Sequence, residues 1–251
     1  MKRGNFLFIS DSFYEKYDEK GFLMKNKEGI HNRPCFYAFA DKKNSQIIWC
    51  VPISSQTEKF EKIVQKKIQK QQLKGIKNPK CNTIRFGFVM GKPKAFLIQN
   101  MFPVAETYIT DIYIDRNTHK PVSIKPELEK DIIKNAREVQ KLVFRGYDKL
   151  VFADIQNIYK ELSYDLNKEK KRKQIEADIK KNGFNPSEKL VLNIEKLNRQ
   201  MGRNYNLQDI HEMYRSQSEL SSNVKDVLQI IADECKQQEM EQIKLQQEPC
   251  D

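Results

Sequence analysis

Short runs rich in aromatic and β-branched residues crowd the chain before residue 115 and then stop. They cover 6–9, 35–40, 46–53, 83–90, 95–99 and 108–114, each bounded by Gly, Pro, Asn or Asp, the residues that end strands. Several are joined by brief turn-like links, such as Asp41-Lys-Lys-Asn-Ser45 and Gly91-Lys-Pro-Lys94. Links that short suit neighbouring antiparallel strands, so the pattern predicts an α+β fold: a compact antiparallel sheet curled into a small β-barrel with inserted helices.

Two helices interrupt the strands. The first is predicted over 57–73, where Phe60, Ile63, Val64 and Ile68 recur at helical spacing among many lysines. The second starts at Pro126, with an acidic first turn, and carries Ile132, Ile133, Ala136, Val139, Leu142 and Val143 to a stop at Gly146. Beyond residue 150 strand signals vanish. A helix over 155–179 contains the charge run Lys168-Glu-Lys-Lys-Arg-Lys173, and a break at Asn182-Gly-Phe-Asn-Pro186 leads to Ser187 as a helix cap. Further helices are expected over 207–214 and 224–243, with fraying from about Gln238. This divides the chain into a barrel domain over 1–165 and a helical extension over 166–251.

Charge follows the same division. The chain carries a net charge of +11, and residues 168–251 contain 15 basic and 15 acidic side chains, so all of the excess lies in residues 1–167. A basic part with little low-complexity sequence is the footprint of a polyanion binder, because phosphate contacts release condensed counterions. No apolar run reaches the length of a membrane span, and the start of the chain turns to charge too soon for a signal peptide, so a cytoplasmic protein is expected. The five cysteines, Cys35, Cys50, Cys81, Cys235 and Cys250, are odd in number and lack CxxC spacing; buried reduced thiols are expected rather than disulfides or zinc.

The sequence holds no phosphate loop, no GxGxxG, no HExxH and no acidic constellation suited to two-metal catalysis, so neither a metal nor an organic cofactor is expected. Polar residues instead collect at strand ends: His31-Asn-Arg33-Pro34, Ser54-Ser55, Arg85, Lys94 and Gln99-Asn100. Metal-free RNA cleavage asks a protein to align the ribose 2′-hydroxyl with its own phosphate, neutralise the developing oxyanion and move two protons. Ser55, with Ser54 beside it, is a candidate to hold a phosphate oxygen or the 2′-hydroxyl. Arg33 and Lys59 are candidates to neutralise charge, and His31 to carry a proton. Equally, Ser54 or Ser55 caps the helix at Thr57. Lys62, Lys66, Lys67, Lys70, Lys74, Lys77, Lys80, Arg85, Lys94, Gln99 and Asn100 are candidates to contact RNA.

At these residues the sequence resembles the toxins of type III toxin–antitoxin systems, the ToxN, AbiQ and CptN group, and CptN most. The resemblance lies in Phe22-Leu-Met-Lys-Asn-Lys27, Asn32-Arg-Pro-Cys-Phe-Tyr37, Ile48-Trp-Cys-Val-Pro-Ile-Ser-Ser55, Arg85-Phe-Gly-Phe-Val-Met-Gly91 and Lys94-Ala-Phe-Leu-Ile-Gln-Asn-Met-Phe-Pro103, within residues 4–162. It implies an SH3-like barrel of the Kid and MazF type, and a phage-defence endoribonuclease that cuts RNA without metal to leave 2′,3′-cyclic phosphate. It also implies cellular or phage RNA as substrate, and inhibition by a repeat RNA pseudoknot that the toxin itself processes, in a closed protein–RNA assembly. The serine after a strand-ending proline falls on Ser55. Where ToxN has a lysine two residues later this chain has Thr57, so Lys59 or Lys62 substitutes or another base serves. The competing reading is a non-catalytic, basic nucleic-acid-binding regulator with a helical interaction tail.

Overall fold

The computed structural model describes residues 1–24, 33–216 and 219–247, with side chains in the last helix up to residue 244. The chain divides into two compact units, Met1–Tyr164 and Asp165–Asp251. The first contains β1 (Phe6–Ile9), α1 (Asp11–Tyr17), β2 (Cys35–Ala40), β3 (Ile47–Ser54), α2 (Thr57–Leu73), β4 (Ile84–Val89), β5 (Lys92–Leu97), β6 (Phe102–Ala105), β7 (Ile109–Ile112), α3 (Pro126–Val143) and the beginning of α4 (Ile155–Lys181).

All strands join one antiparallel sheet in the order β4-β5-β3-β2-β1-β7, with β6 also paired to β3. The expected barrel is not closed: β4 and β7 are the edges, and among the described residues no pairing joins them. The sheet is nevertheless strongly curved. Phe6 on β1 and Phe96 on β5 lie three strand spacings apart, about 14 Å on a flat sheet, yet their ring centroids are 6.3 Å apart. Phe36 on β2 meets both, at 5.5 Å and 5.8 Å. Burying these three rings against one another bends the sheet toward that face.

Side-chain alternation then assigns the helices to faces. On β4, Ile84 joins Phe60 of α2 with Ala95 and Leu97 of β5. The intervening Arg85 bonds Asp131 of α3, and a Cβ on Gly87 would meet Leu128 Cδ2 of α3 at 2.1 Å. Helices α2 and α3 therefore cover opposite faces of β4, and Leu128 of α3 fills the space that a Cβ at position 87 would need.

Strand β6 escaped the sequence pattern. Pro103 stands in its middle, and proline argues against an inner strand; β6 pairs with β3 alone, from Ile47↔Ala105 to Cys50↔Phe102, so its other flank needs no donor. The β4–β5 turn is tighter than expected. Val89 pairs with Lys92 across Met90 and Gly91, both at positive φ (50° and 72°), so the turn has the type I′ form and Lys-Pro-Lys opens β5. The segment expected over 108–114 is strand only over β7, and α1 was not anticipated.

In the second unit, α5 (Glu188–Met201), α6 (Leu207–Arg215) and α7 (Ser222–Gln247) pack with the end of α4 around Ile179, Leu190, Ile194, Leu207, Val227 and Ile231. Ser187 caps α5 by accepting from Leu190 N, and Asn206 with Asp209 forms a capping box on α6. Helix α7 continues past Gln238, where the sequence predicts fraying, as far as Gln247. Gln238 bonds Asn185 through both its amide atoms, and Gln242 Nε2 donates to Gly183 O, so polar contacts replace the missing apolar anchors. Cys35, Cys50, Cys81 and Cys235 are buried free thiols, while Cys250 lies outside the described residues. Burial holds the Cys50 thiol well above its ordinary pKa and pushes Cys35 up to about 12 and Cys235 to about 11, so all three stay protonated at neutral pH.

Candidate functional site

Strand β3 ends at Ser54, and α2 begins three residues later at Thr57. Neither serine is the helix cap. That position is Gln56, which makes no side-chain capping bond, and Ser54 Oγ accepts from Gln56 N at 3.2 Å. Ser55 is exposed, and its hydroxyl makes no hydrogen bond among the described residues. The first N–H groups of this 17-residue helix thus lack a side-chain cap and lie beside an unengaged serine hydroxyl, donors suited to an anion, with Glu58 in the same first turn.

Arg33 belongs to the same end of the sheet. Cys35 pairs with Pro52, so Arg33, two residues before Cys35, falls at the level of Ser54, two residues after Pro52. Its positive charge favours the ionised forms of Tyr14 and Cys35, but burial outweighs it and both groups stay protonated. His31 lies outside the described residues.

The lysines of α2 separate by face. Phe60, Ile63 and Val64 face β4 and β5, and Lys67 continues that stripe. Its Nζ donates to Thr83 Oγ1 at 2.9 Å and to Gln99 Oε1 at 2.8 Å, both on buried residues. Lys67 and Gln99, expected to contact RNA, are thus engaged with each other. Arg85 is likewise committed: it bonds Asp131 at 2.5 Å and the carbonyls of Cys81 and Ile84. Lys59, Lys62, Lys66, Lys70 and Lys74 instead form an exposed ridge at three- or four-residue steps, spanning about 22 Å at 1.5 Å per residue. Lys77 and Lys80 continue it into the following loop, also exposed. Lys94 and Asn100 are half-buried, with no side-chain hydrogen bond among the described residues.

One signal in the sequence went unused. From Lys62 to Ala105 there are 10 basic residues and no acidic one, so α2, β4, β5 and their connections form an uninterrupted positive stretch. A second basic surface was missed as well. Lys130, Lys134, Arg137 and Lys141 recur along one face of α3 and, with Arg3, Ile133 and Glu138, line a cleft of about 400 Å³. Arg137 stacks over Phe39 at 5.2 Å, and Arg3 lies 3.7 Å from Glu129. Among the described residues no three His, Cys, Asp or Glu side chains converge as metal ligands, and no helix is long and apolar enough to cross a membrane.

No family model and no characterised protein sequence matches the chain. Among solved structures it is similar to AbiQ, described as a lactococcal anti-phage endoribonuclease belonging to the type III toxin–antitoxin system. The identity is 15% and the TM-score 0.46, with 65% of this chain and 98% of AbiQ covered.

Proposed function

We propose that the chain is a metal-independent endoribonuclease toxin of the type III class. It cuts RNA by attack of the 2′-hydroxyl on the adjacent phosphate, leaves a 2′,3′-cyclic phosphate, and is restrained by a repeat RNA pseudoknot that it processes. The observation that carries this reading is the position of Ser55: an unengaged hydroxyl at the start of α2, at the head of an exposed lysine ridge that leads into the acid-free stretch from Lys62 to Ala105. The sequence resemblance, which runs through the same serine, supplies the reaction class.

In this mechanism Ser55 Oγ and the first N–H groups of α2 hold a non-bridging phosphate oxygen. Arg33 and Lys59 offset the charge that develops as the 2′-oxygen adds to phosphorus. The 2′-hydroxyl gives up its proton as it attacks, and the 5′-oxygen of the next nucleotide leaves and takes one up, with His31 as the proposed carrier between them. The ridge from Lys62 to Lys80 holds the backbone on either side and is also the proposed seat of the antitoxin, so one site both processes and is blocked by it.

Incubation of the purified protein with mixed RNA in EDTA, followed by end analysis, tests the reading. Cyclic phosphate ends made by the native chain and not by Ser55→Ala support it. A folded, RNA-binding protein that leaves RNA intact assigns the basic surface to a non-catalytic regulator.

A further inference from the structure

Two large aromatic side chains stand exposed beside this site with no use in the fold. Phe86 is 36% exposed and Phe88 65% exposed, both on the edge strand β4. Register places them. Ser54 pairs with Ala95, and Ala95 with Phe86, so these three form one row across β3, β5 and β4 on the face that α2 covers. Phe86 is therefore about 10 Å from Ser54, at two strand spacings. Strands β3 and β4 are both antiparallel to β5 and run in the same direction, so the chain leaving β3 at Ser55 heads toward the level of Phe88, two residues past the row. The rings share one face and lie to one side of the line along which the chain leaves the sheet at Ser55, two strands away.

We infer that Phe86 and Phe88 form a stacking platform for unpaired bases of the RNA strand held at Ser55, so that β4 reads the nucleotides flanking the scissile bond. The location rests on the nuclease reading; the platform itself rests on the exposed rings. Unpaired bases are the occupant favoured over a second copy of this chain for two reasons. Helix α2, on the same sheet face as the rings, presents the exposed Lys59, Lys62 and Lys66, and no carboxylate lies between residues 62 and 105, so another copy would bring like charge to like charge. A single strand, by contrast, supplies both the flat faces that rings accept and the phosphates that lysines neutralise.

The test is binding of the full chain to a 2′-O-methyl RNA dodecamer, which 2′-hydroxyl attack cannot cut, and to an abasic dodecamer of equal charge. Stacking on one aromatic side chain strengthens binding about 5- to 150-fold. Phe88→Leu, which keeps the residue apolar, should weaken the dodecamer by at least about fivefold and leave the abasic strand unchanged. Phe88→Trp should restore binding, and Phe86→Leu should act in the same direction. Equal losses on both strands, no loss on either, or no binding by the native chain overturns the platform. So does a native dimer that Phe88→Leu dissociates while dodecamer affinity stays constant, which would assign the rings to a second copy. Cleavage is not read here, so the two proposals fail separately. Base-dependent binding by a chain that leaves RNA uncut removes the nuclease and keeps the platform; cleavage without base-dependent binding does the reverse.

Discussion

Lys67 Nζ lies 2.8 Å from Gln99 Oε1, joining the middle of α2 to the turn after β5 through a side chain that is only 4% exposed. Thr83 Oγ1 accepts from the same ammonium at 2.9 Å. Removing this donor leaves the buried Gln99 Oε1 unpaired and Thr83 Oγ1 with Cys81 Sγ alone, at 3.5 Å, which costs about 1–3 kcal/mol. Lys67→Met should therefore lower the free energy of urea unfolding by that amount. Lys66→Met, one residue away on the exposed ridge, should stay within about 0.5 kcal/mol of the native chain. Equal stability of the two variants would show that the buried cluster does not hold the helix in place.

Leu128 of α3 packs over Gly87, where a Cβ would meet Leu128 Cδ2 at 2.1 Å. Gly87→Ala should destabilise the fold by about 1–3 kcal/mol through overpacking. The added methyl and the leucine compete for one space, so Leu128→Ala in the same chain should recover part of that loss. A double-mutant cycle on thermal unfolding measures the coupling, and strictly additive losses would refute the contact.

Salt dependence separates the lysine ridge from general charge. If Lys62, Lys66 and Lys70 each neutralise a phosphate of single-stranded RNA, changing all three to Gln should reduce the slope of log K against log salt by about 2. Lys170, Lys171 and Lys196, exposed in the second unit, where basic and acidic residues nearly balance, should leave the slope unchanged when replaced together. Identical slopes for the two triple variants would place the RNA elsewhere.

The second unit carries its own pH dependence. Glu234 accepts from Lys189 at 3.0 Å and from Ser187 Oγ at 2.8 Å, and these partners hold its carboxyl below the ordinary value of 4.5. A depressed folded pKa means stability that is fully present above 4.5 and is lost as pH falls through the lowered value. Glu234→Gln should thus be less stable than the native chain by a constant margin at neutral pH, with the margin shrinking in acid below pH 4.5. Urea unfolding across pH 3–7 measures it. A margin that does not change with pH would show that the carboxylate charge contributes nothing.

Local order in this chain is largely legible in its amino-acid sequence. Helix α2 over Thr57–Leu73 follows from the spacing of Phe60, Ile63 and Val64, α3 starts at Pro126, and Ser187 caps α5, because helix periodicity and caps depend on residues a few positions apart. The concentration of positive charge before residue 168 is likewise a matter of counting. What tertiary structure decided was the use of chemically identical side chains. Lys66 faces outward and Lys67 binds Gln99; Phe6, Phe36 and Phe96 close the curved core, while Phe88 stands exposed on the sheet edge. Strand β6 hid behind Pro103, and the sheet stayed open where a barrel was expected. Those outcomes depend on which strands pair and how far the sheet bends around its buried rings, and such contacts join residues far apart in the chain, where no local spacing records them.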